Sequence, residues 1–411
     1  MGLRRSYRSF NAALDSLYAD DLLRLADDAD KPDFDDAAFL DAAGMVYHAG
    51  KFDASMLNTP EARRLIAETL RQIKRGIDSG IPHKVPEVVK YALENNAFIF
   101  SGFKAYHTLR EVGVSLVTDK GDIKPFDTFR MDVQAINGRY NHNYLYAEYN
   151  HAVGASLMAS RWQQFEQDGD RYDLQYRTAE DDRVREDHAI LHGTTPPPSD
   201  PFWSLYLPPN GWNCRCTAVQ VRKGKYQQSD PALAMLRGNN CTDAAKQQIF
   251  RYNPGKSLQL FPPKHPYFKA PEAAKKVVEE LTEEQKRAAV AARRREIRRY
   301  MADHLDQQLV NPQFDKVVTI SNRSIKEFLN QPHKLIFEKN ELLMDIQRVF
   351  KSARYLGVNP AYVVDRLKAS HIFEIDLAGV KSWLVVREYD TGVCNLYSCS
   401  DNPKIAEGLV K

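Results

Sequence analysis

The sequence predicts a multidomain α+β protein, with a mainly helical N-terminal region, a loop-rich α+β domain, a long helical linker and a C-terminal α+β domain. Three observations predict this class. The 411 residues exceed the usual size of one domain. Apolar residues recur at helical spacing in the first third and again within 270–309. Strand-like alternation, with turn residues between the runs, dominates the C-terminal end.

The composition is that of a soluble globular protein, with 43% hydrophobic and 27% charged residues. Because the formal net charge is only +3, any nucleic-acid binding must come from a local patch. Five cysteines, an odd and small number, favour a reducing compartment over a disulfide scaffold. No apolar run approaches the length of a membrane span, and none follows the basic N-terminus. We therefore expect a protein made in the cytoplasm, without its own export signal and without a membrane partner.

The N-terminal third is expected to be helical, with a scaffolding or partner-binding role. Residues 1–58 form an acidic segment, including Asp27–Asp30, for which short helices are predicted and whose packing signals are weak. Thr59 as N-cap with Pro60 at the first helical position begins a stronger helix that Gly80 ends. Apolar spacing predicts two more helices, over 86–100 and 143–165.

Residues 176–221 combine a histidine pair, prolines, aromatic rings and a Cys-x-Cys pair. His188 and His192 are four positions apart, so on a helix both imidazoles point the same way. With Cys214 and Cys216 they supply two nitrogens and two sulfurs, which suit a closed structural zinc site. The alternative is packing, since buried histidines and free cysteines are common structural residues. A hydrolytic metal centre is disfavoured, because no cluster of carboxylates accompanies these residues.

Prolines fix the φ angle and remove backbone donors, so 196–212 is predicted to be an ordered loop rather than a central strand. A short strand is expected over 173–176 and a helical turn within 182–191. The aromatic rings of the loop would hold it by burial: Phe202, Trp203, Tyr206 and Trp212.

The residue pattern of this segment resembles that of the head-morphogenesis domain of phage Mu F-like minor head proteins. The resemblance rests on an Arg-x-x-His-x-x-Leu-x-Gly element followed by Pro-Pro-Asn and Cys-Arg-Cys. The matching residues are Arg185, His188, Leu191, Gly193, Pro208, Pro209, Asn210, Cys214, Arg215 and Cys216. It implies a domain over 59–222, with its core motif at 176–221. It also implies a minor capsid role beside phage portal and capsid proteins, in the host cytoplasm and then the virion, with release alongside phage DNA. The family implies no enzymatic activity for this domain.

Residues 223–310 are predicted to be a connector that ends in a basic helix. A capping-box pattern at Thr282 and Gln285 predicts that two helices meet near Leu281. Two interpretations of the arginine cluster in this helix stay open. It is a solvated face, or a stripe that contacts nucleic-acid phosphates. The cluster comprises Arg293, Arg294, Arg295, Arg298 and Arg299.

Residues 311–411 are predicted to form a compact α+β domain. Ser324 or Asn322 is expected to cap a helix that runs through Leu329, and a second helix is expected over 342–353. Hairpin turns at Ala378-Gly379 and Asp390–Gly392 separate the last strand-like runs. Together with a first strand over 317–320, those runs predict a four-stranded antiparallel sheet: 371–377, 380–388 and 393–398.

This domain is similar to the phage branch of the Barnase–EndoU–colicin–RelE nuclease superfamily. The segments that carry this similarity are Thr319–Ser321, Ile325–His333 and Leu396–Ser398. The resemblance implies a toxin-like ribonuclease effector that uses no metal cofactor, takes RNA as substrate and has an immunity protein as partner. The alternative is a purely structural minor capsid protein, whose C-terminal domain binds nucleic acid or a portal partner without catalysis.

Metal-free RNA cleavage needs a base, an acid and a cation near the phosphate. His333 and His371 are the residues that titrate near neutral pH. We expect His371 and Ser398 to share one face of the sheet, with Ser398 donating a hydrogen bond from the last strand. Each candidate also has a structural alternative: His333 only follows Pro332 in a turn, and Arg387 pairs in solvent with neighbours of Glu388. The phosphate-binding candidates are Lys326, Lys381 and Arg387.

Overall fold

The computed structural model describes most of the chain and divides it into two compact units, Met1–Glu283 (unit 1) and Glu284–Lys411 (unit 2). The described residues are 2–22, 32–82, 85–118, 120, 122–305, 307–360 and 366–410, without the side chains of 2–8, 20–22 and 360. The Asp27–Asp30 stretch lies outside them. Both units contain helices and a sheet, so the multidomain α+β prediction is confirmed. Within the described residues, no helix is long and apolar enough to cross a membrane.

Unit 1 is mainly helical. Its first six helices are α1 (Gly2–Leu22), α2 (Asp36–Ala49), α3 (Pro60–Gly80), α4 (Glu87–Ser115), α5 (Phe126–Asn137) and α6 (Leu145–Gln167). A turn of π-helix, Gly138–Tyr144, joins α5 to α6. As predicted, Thr59 caps α3 by accepting a hydrogen bond from the Ala62 amide, and Pro60 is its first residue. Helix α4 continues well beyond residue 100, because Leu109 and Val112 still face the core.

The N-terminal helices pack into the same core as α3, α4 and α6. Leu14 and Tyr18 of α1 and Phe39 and Val46 of α2 are buried there, despite the weak packing signals of this segment. The prediction of short helices was wrong for α1, which has 21 residues. Both α1 and α2 carry an apolar stripe, which the acidic composition of the segment made hard to identify from the sequence.

A polar network lies inside this core. Lys104 of α4 forms an ion pair with Glu148 of α6, and both side chains are at most 1% exposed. The Tyr18 hydroxyl donates to Glu148 Oε1 at 2.9 Å and lies 3.1 Å from His265 Nε2. The network therefore connects α1, α4, α6 and the segment around His265 through one buried carboxylate.

A two-stranded antiparallel sheet, β1 (Tyr172–Arg177) and β2 (Thr217–Arg222), pairs Tyr176 with Ala218. The loop between them contains two short helices, α7 (Glu186–Ala189) and α8 (Phe202–Tyr206), and no strand, as predicted. Its large rings are buried in a second core beside Trp162 and Leu174: Phe202, Trp203 and Tyr206. The following segment carries the helices α9 (Pro231–Cys241) and α10 (Pro254–Ser257).

Helix α11 (Glu272–Ala302) is continuous, so the predicted meeting of two helices near Leu281 was wrong. The Thr282 hydroxyl donates to the Val278 carbonyl at 2.6 Å, a bond within the helix rather than a cap. Val278 and Leu281 are buried, which stabilises the helix through this turn.

Unit 2 contains a sheet of six strands, not the four predicted. They are β3 (Leu309–Asn311), β4 (Phe314–Thr319), β5 (Arg354–Pro360), β6 (Leu367–Leu377), β7 (Val380–Tyr389) and β8 (Cys394–Ser400). Their order is β3-β4-β8-β7-β6-β5, and β4 pairs with β8 in parallel whereas the other neighbours are antiparallel. The missed strands β3 and β5 are short or contain glycine and proline, which weakens the alternation that identifies a strand.

Three helices pack in unit 2: α12 (Asn322–Asn330), α13 (Ile336–Glu341) and α14 (Ile346–Ser352). Ser321, rather than the predicted Asn322 or Ser324, caps α12, and its hydroxyl accepts from the Ser324 amide at 3.1 Å. The single helix predicted over 342–353 is instead a turn of 3₁₀-helix, Leu342–Asp345, followed by α14.

Candidate functional site

Three of the four predicted metal ligands lie together in unit 1. His188 Nδ1 is 3.5 Å from Cys214 Sγ and 3.6 Å from Cys216 Sγ. The three donor atoms lie within 4.8 Å of one another, and all three residues are buried. His188 Nε2 is buried without a hydrogen-bond partner in the described part of the chain. The two sulfurs are therefore the polar groups that face this imidazole.

His192 is not part of the group, so the predicted four-ligand site was wrong. Its Nε2 pairs with Glu180 at 2.7 Å and its Nδ1 is 2.9 Å from the Thr178 hydroxyl. Helix α7 ends at Ala189, before His192, and therefore the same-face geometry of positions i and i+4 does not apply.

The pKa values of the two thiols are shifted in opposite directions. A hydrogen bond from Cys216 lowers the pKa of the Cys214 thiol, against the effect of burial, and the nearby His188 lowers it further. Cys216, which donates that bond and is buried, has a raised pKa. The pair therefore favours one thiolate, on Cys214, which is the form that binds metals.

The remaining motif residues fasten the segment after β1 to the turn before β2. Arg185 donates to the Trp212 carbonyl at 2.6 Å, and the Tyr176 hydroxyl donates to Asn210 Oδ1 at 2.9 Å. Arg215 forms two bonds of 2.6 Å with Asp181. Gly193, at φ +76°, donates its amide to the Tyr176 carbonyl at 2.9 Å. We call these contacts, together with the group formed by His188, Cys214 and Cys216, the motif lock. The contacts give the motif residues a structural role.

A cavity of about 270 Å³ adjoins the cluster. Residues of α6, of the segment 179–188 and of the turn 213–217 line it. All three candidate ligands are among the lining residues. Polar groups from Asn150, Arg183 and Asn213 are also on the wall.

In unit 2 the six predicted catalytic residues are dispersed. His371 of β6 pairs with Val386 of β7, whereas Ser398 of β8 pairs with Val385. Because paired residues share a face, and Val385 and Val386 belong to cores on opposite faces, the expectation that His371 and Ser398 share one face was wrong. The β-bulge between Val385 and Val386 shifts the β8 register in a way that alternation alone does not predict.

Three of the other four have separate partners, and the fourth is exposed. His333 Nε2 is 3.0 Å from the buried Ser382 hydroxyl, and Lys381 pairs with Glu374 at 3.2 Å. The Arg387 guanidinium lies 3.2 Å from the centre of the Tyr397 ring, whereas Lys326 is exposed on α12. None of these contacts brings them to His371.

His371 instead belongs to a different cluster, on the face that packs against Phe314. Its Nε2 is 2.8 Å from Glu388 Oε2, and its Nδ1 is 3.0 Å from the Tyr355 hydroxyl. Lys316 and Lys368 also bind Glu388, at 2.7 and 2.8 Å. The Glu388 side chain is 4% exposed, whereas those of Lys316 and Lys368 are 36% and 62% exposed. We call these five residues the His371 cluster.

Burial would raise the pKa of the Glu388 carboxyl, but hydrogen bonds from Lys316, Lys368 and His371 outweigh it and hold the pKa at about 2. The ionised Glu388 accepts a hydrogen bond from the Nε2–H of His371, and Nδ1 of the ring faces the Tyr355 hydroxyl. Burial raises the pKa of Tyr355, which keeps that proton in place.

The sequence contained a signal for one of the missed residues. A two-residue turn at Ala378-Gly379 pairs Leu377 with Val380. Counting residue pairs away from this turn along β6 and β7 places His371 opposite Val386 and Glu388 diagonally from His371, within reach of a long side chain. Lys316 and Tyr355 come from strands remote in sequence, and no local pattern places them there.

The basic helix presents fewer free cations than its sequence suggests. Arg293 is paired with Glu341 and Glu296, at 2.7 and 2.6 Å. Burial lowers the pKa of Arg294, which is half-buried. The exposed members of the cluster follow at helical spacing: Arg295, Arg298 and Arg299.

Comparison with known proteins bears on both units. Residues 125–219 match the family described as Phage Mu protein F like protein, and 288–397 match the family described as Large polyvalent protein-associated domain 3. "Putative capsid assembly protein F" of Escherichia phage Mu is 41% identical over 111 residues, 25% of this chain and 25% of that protein. Mu-like prophage FluMu F protein of Haemophilus influenzae is 39% identical over 67 residues, 15% and 16% of the two chains. No solved structure matches.

The matched stretches thus span a quarter or less of the curated relatives. The matched family segment contains α6, β1 and the motif lock, and it ends within β2. Residues 125–219 are therefore similar to the family described as Phage Mu protein F like protein.

Proposed function

We propose that this chain takes part in assembling a phage head, alongside portal and capsid proteins. The observation that carries the proposal is the match of residues 125–219 to the Phage Mu protein F like family, joined to a relative named as a capsid assembly protein. On this proposal the chain acts in the host cytoplasm during assembly and then enters the virion.

The geometry of the motif lock supports a structural role for this domain. Arg185, Asn210 and Arg215 are each bonded within the domain, so their side chains fix the backbone. A rigid surface of this kind is suited to docking against other head proteins, because little conformational entropy is lost on binding.

The test is genetic and biochemical. The gene is deleted from the phage or prophage that encodes it, and heads are purified and analysed by mass spectrometry. We expect the wild-type chain in the heads and fewer complete heads without it. Complementation with Arg185→Ala should restore heads less well than complementation with Arg183→Ala, a neighbouring control outside the motif. Normal heads that lack the chain would contradict the proposal.

We further propose that unit 2 is a metal-independent ribonuclease effector, as its sequence resemblance implies. The His371 cluster supports it, because one titratable imidazole stands beside an ionised carboxylate and two partly exposed lysines. The Tyr355 hydroxyl and His371 form a relay that takes the proton of a ribose 2′-hydroxyl. Lys316 and Lys368 stabilise the negative charge that develops on the phosphate.

The assay incubates the full chain with total RNA in EDTA. We expect cleavage by the wild type, loss of at least about a hundredfold in rate for His371→Ala, and retention in Ser398→Ala, the matched control on the other sheet face. An immunity protein is the expected partner, so expression of the active chain should be toxic without it. Equal activity in His371→Ala and wild type would contradict catalysis at this cluster.

The alternative function is nucleic-acid binding without cleavage. The exposed arginines Arg295, Arg298 and Arg299 favour it, because each neutralised phosphate steepens the salt dependence of binding. RNA binding that weakens in Arg298→Ala and falls with salt, together with no cleavage, would identify unit 2 as a binding module instead.

A further inference from the structure

We infer that His188, Cys214 and Cys216 bind one zinc ion, with its fourth coordination position open to the adjoining cavity. This inference rests on the geometry of the cluster and not on the proposed role in head assembly. It replaces the closed four-ligand site that the sequence suggested.

The spacing of the donor atoms matches tetrahedral zinc. Zinc binds cysteine sulfur at about 2.3 Å and histidine nitrogen at about 2.0–2.1 Å, so sulfur and nitrogen on one tetrahedral ion are about 3.5–3.6 Å apart. The two distances in the structure are 3.5 and 3.6 Å. A single imidazole nitrogen has one lone pair and cannot accept two good hydrogen bonds, whereas one ion between three donors accounts for both distances.

The donor set selects the metal. Two thiolates and one imidazole are soft or borderline ligands, which favour zinc over magnesium or calcium. Binding would join α7 to the turn before β2, and the free energy of binding would add to the stability of the motif lock.

The fourth position faces the cavity. Within the described residues no further histidine, cysteine or carboxylate completes the group, and His192 is held by Glu180 and Thr178. Structural zinc sites usually have four protein ligands, whereas sites with three keep a position for an exchangeable ligand. The cavity of about 270 Å³ has room for water or for a small thiol or imidazole in that position.

The first experiment measures zinc in the purified full chain by elemental analysis and native mass spectrometry. We expect about one zinc per wild-type chain, and the same in His192→Ala and Cys241→Ala. Cys241 is a buried thiol outside the group, so it is the matched control for Cys214→Ser and Cys216→Ser, which should lose the metal. Loss of zinc from His192→Ala, or a Cys214–Cys216 disulfide in the wild type, would overturn the inference.

A second experiment does not depend on whether the variants fold. Zinc in the wild type is replaced by cobalt, whose absorption reports thiolate ligands and coordination number. We expect thiolate-to-cobalt charge-transfer bands, and a shift of the visible bands on adding imidazole or a small thiol. A wild-type chain that takes up no cobalt or zinc would refute the site, and bands that added ligand leaves unchanged would refute the open position.

Discussion

Each unit buries a glutamate beside lysine, and the two carboxyls respond in opposite ways. Glu148 of unit 1 is fully buried with Lys104 as its cationic partner and with the Tyr18 hydroxyl as a hydrogen-bond donor, and burial raises its pKa. Glu388 of unit 2 is nearly as buried, yet its pKa is about 2, because Lys316, Lys368 and His371 bind it. The side chains of Lys316 and Lys368 are 36% and 62% exposed, whereas that of Lys104 is 1% exposed.

The difference separates a structural network from a candidate reactive one. At Glu148 both charges have lost their water, so the pair mainly specifies how the helices pack. At Glu388 the carboxylate stays ionised at neutral pH and orients His371 next to cations that solvent can reach. Unit 1 therefore buries both members of its ion pair, whereas unit 2 leaves the lysines that bind its buried glutamate partly exposed to solvent.

The largest expected effect comes from removing one lysine in each network. Lys104→Met leaves the Glu148 carboxyl buried without its cation, and we expect it to lower the free energy of unfolding of unit 1 by about 3–5 kcal/mol. Lys368→Met, its matched change in unit 2, should cost at most about 1 kcal/mol, because the side chain is exposed. Denaturant unfolding measures both. Equal losses would remove the distinction between the networks.

Acid should destabilise unit 1 first. Burial lowers the pKa of His107 to about 3, whereas an unfolded histidine titrates near about 6.5. Between these two pKa values the unfolded state binds the proton and the folded state does not. The contribution of His107 to the free energy of unfolding is therefore complete above about pH 6.5, and it falls by about 1.4 kcal/mol per pH unit as the pH drops towards about 3. Urea unfolding at several pH values, in a Trp383→Phe background, follows unit 1 by tryptophan fluorescence. In His107→Phe the slope should decrease by one proton; an unchanged slope would contradict this assignment.

Unit 2 should respond to acid at lower pH. The pKa of Glu388 is about 2 in the folded state and about 4.3 in the unfolded state. Its contribution to the free energy of unfolding is therefore present above about pH 4.3 and is lost as the pH falls towards about 2. Unfolding between pH 4 and 2 should show a loss of up to about 3 kcal/mol that Glu388→Gln no longer shows. A variant with the wild-type pH dependence would mean that another group is responsible.

The smallest effect sharpens the role of burial. Glu374 also has two cationic partners, Arg354 and Lys381, but both of those side chains are 63% exposed. We expect Glu374→Gln to change the free energy of unfolding by less than about 1 kcal/mol, because solvent screens such pairs. A larger loss, measured by the same denaturant unfolding, would show that the number of cations matters more than burial.

Local sequence signals predicted much of the fold. Thr59-Pro60 gave the start of α3, and the turn at Ala378-Gly379 gave the β6–β7 hairpin, because these residues act through their own backbone. The burial of the acidic N-terminal helices depended on distant partners such as His265 and Glu148, which no local pattern contains. The same applies to β3 and β5, whose pairing is decided by the sheet.

The candidate sites were predicted in part for the same reason. His188, Cys214 and Cys216 belong to one segment closed by the pairing of β1 with β2, so their meeting followed from the motif. His192 was misplaced because α7 is only one turn long. At the other site only His371 was identified, since Tyr355 and Lys316 arrive from separate strands and the β-bulge moves Ser398 to the other face.

The central claim is that the motif residues act together as a lock within unit 1. Hydrogen exchange with mass spectrometry on the full chain tests it most directly, comparing wild type with Arg185→Ala and using peptides of unit 2 as the reference. Because Arg185 joins the segment after β1 to the Trp212 carbonyl, we predict faster exchange in both 176–193 and 207–217 and no change in unit 2. Faster exchange in the peptide around residue 185 alone would contradict the lock.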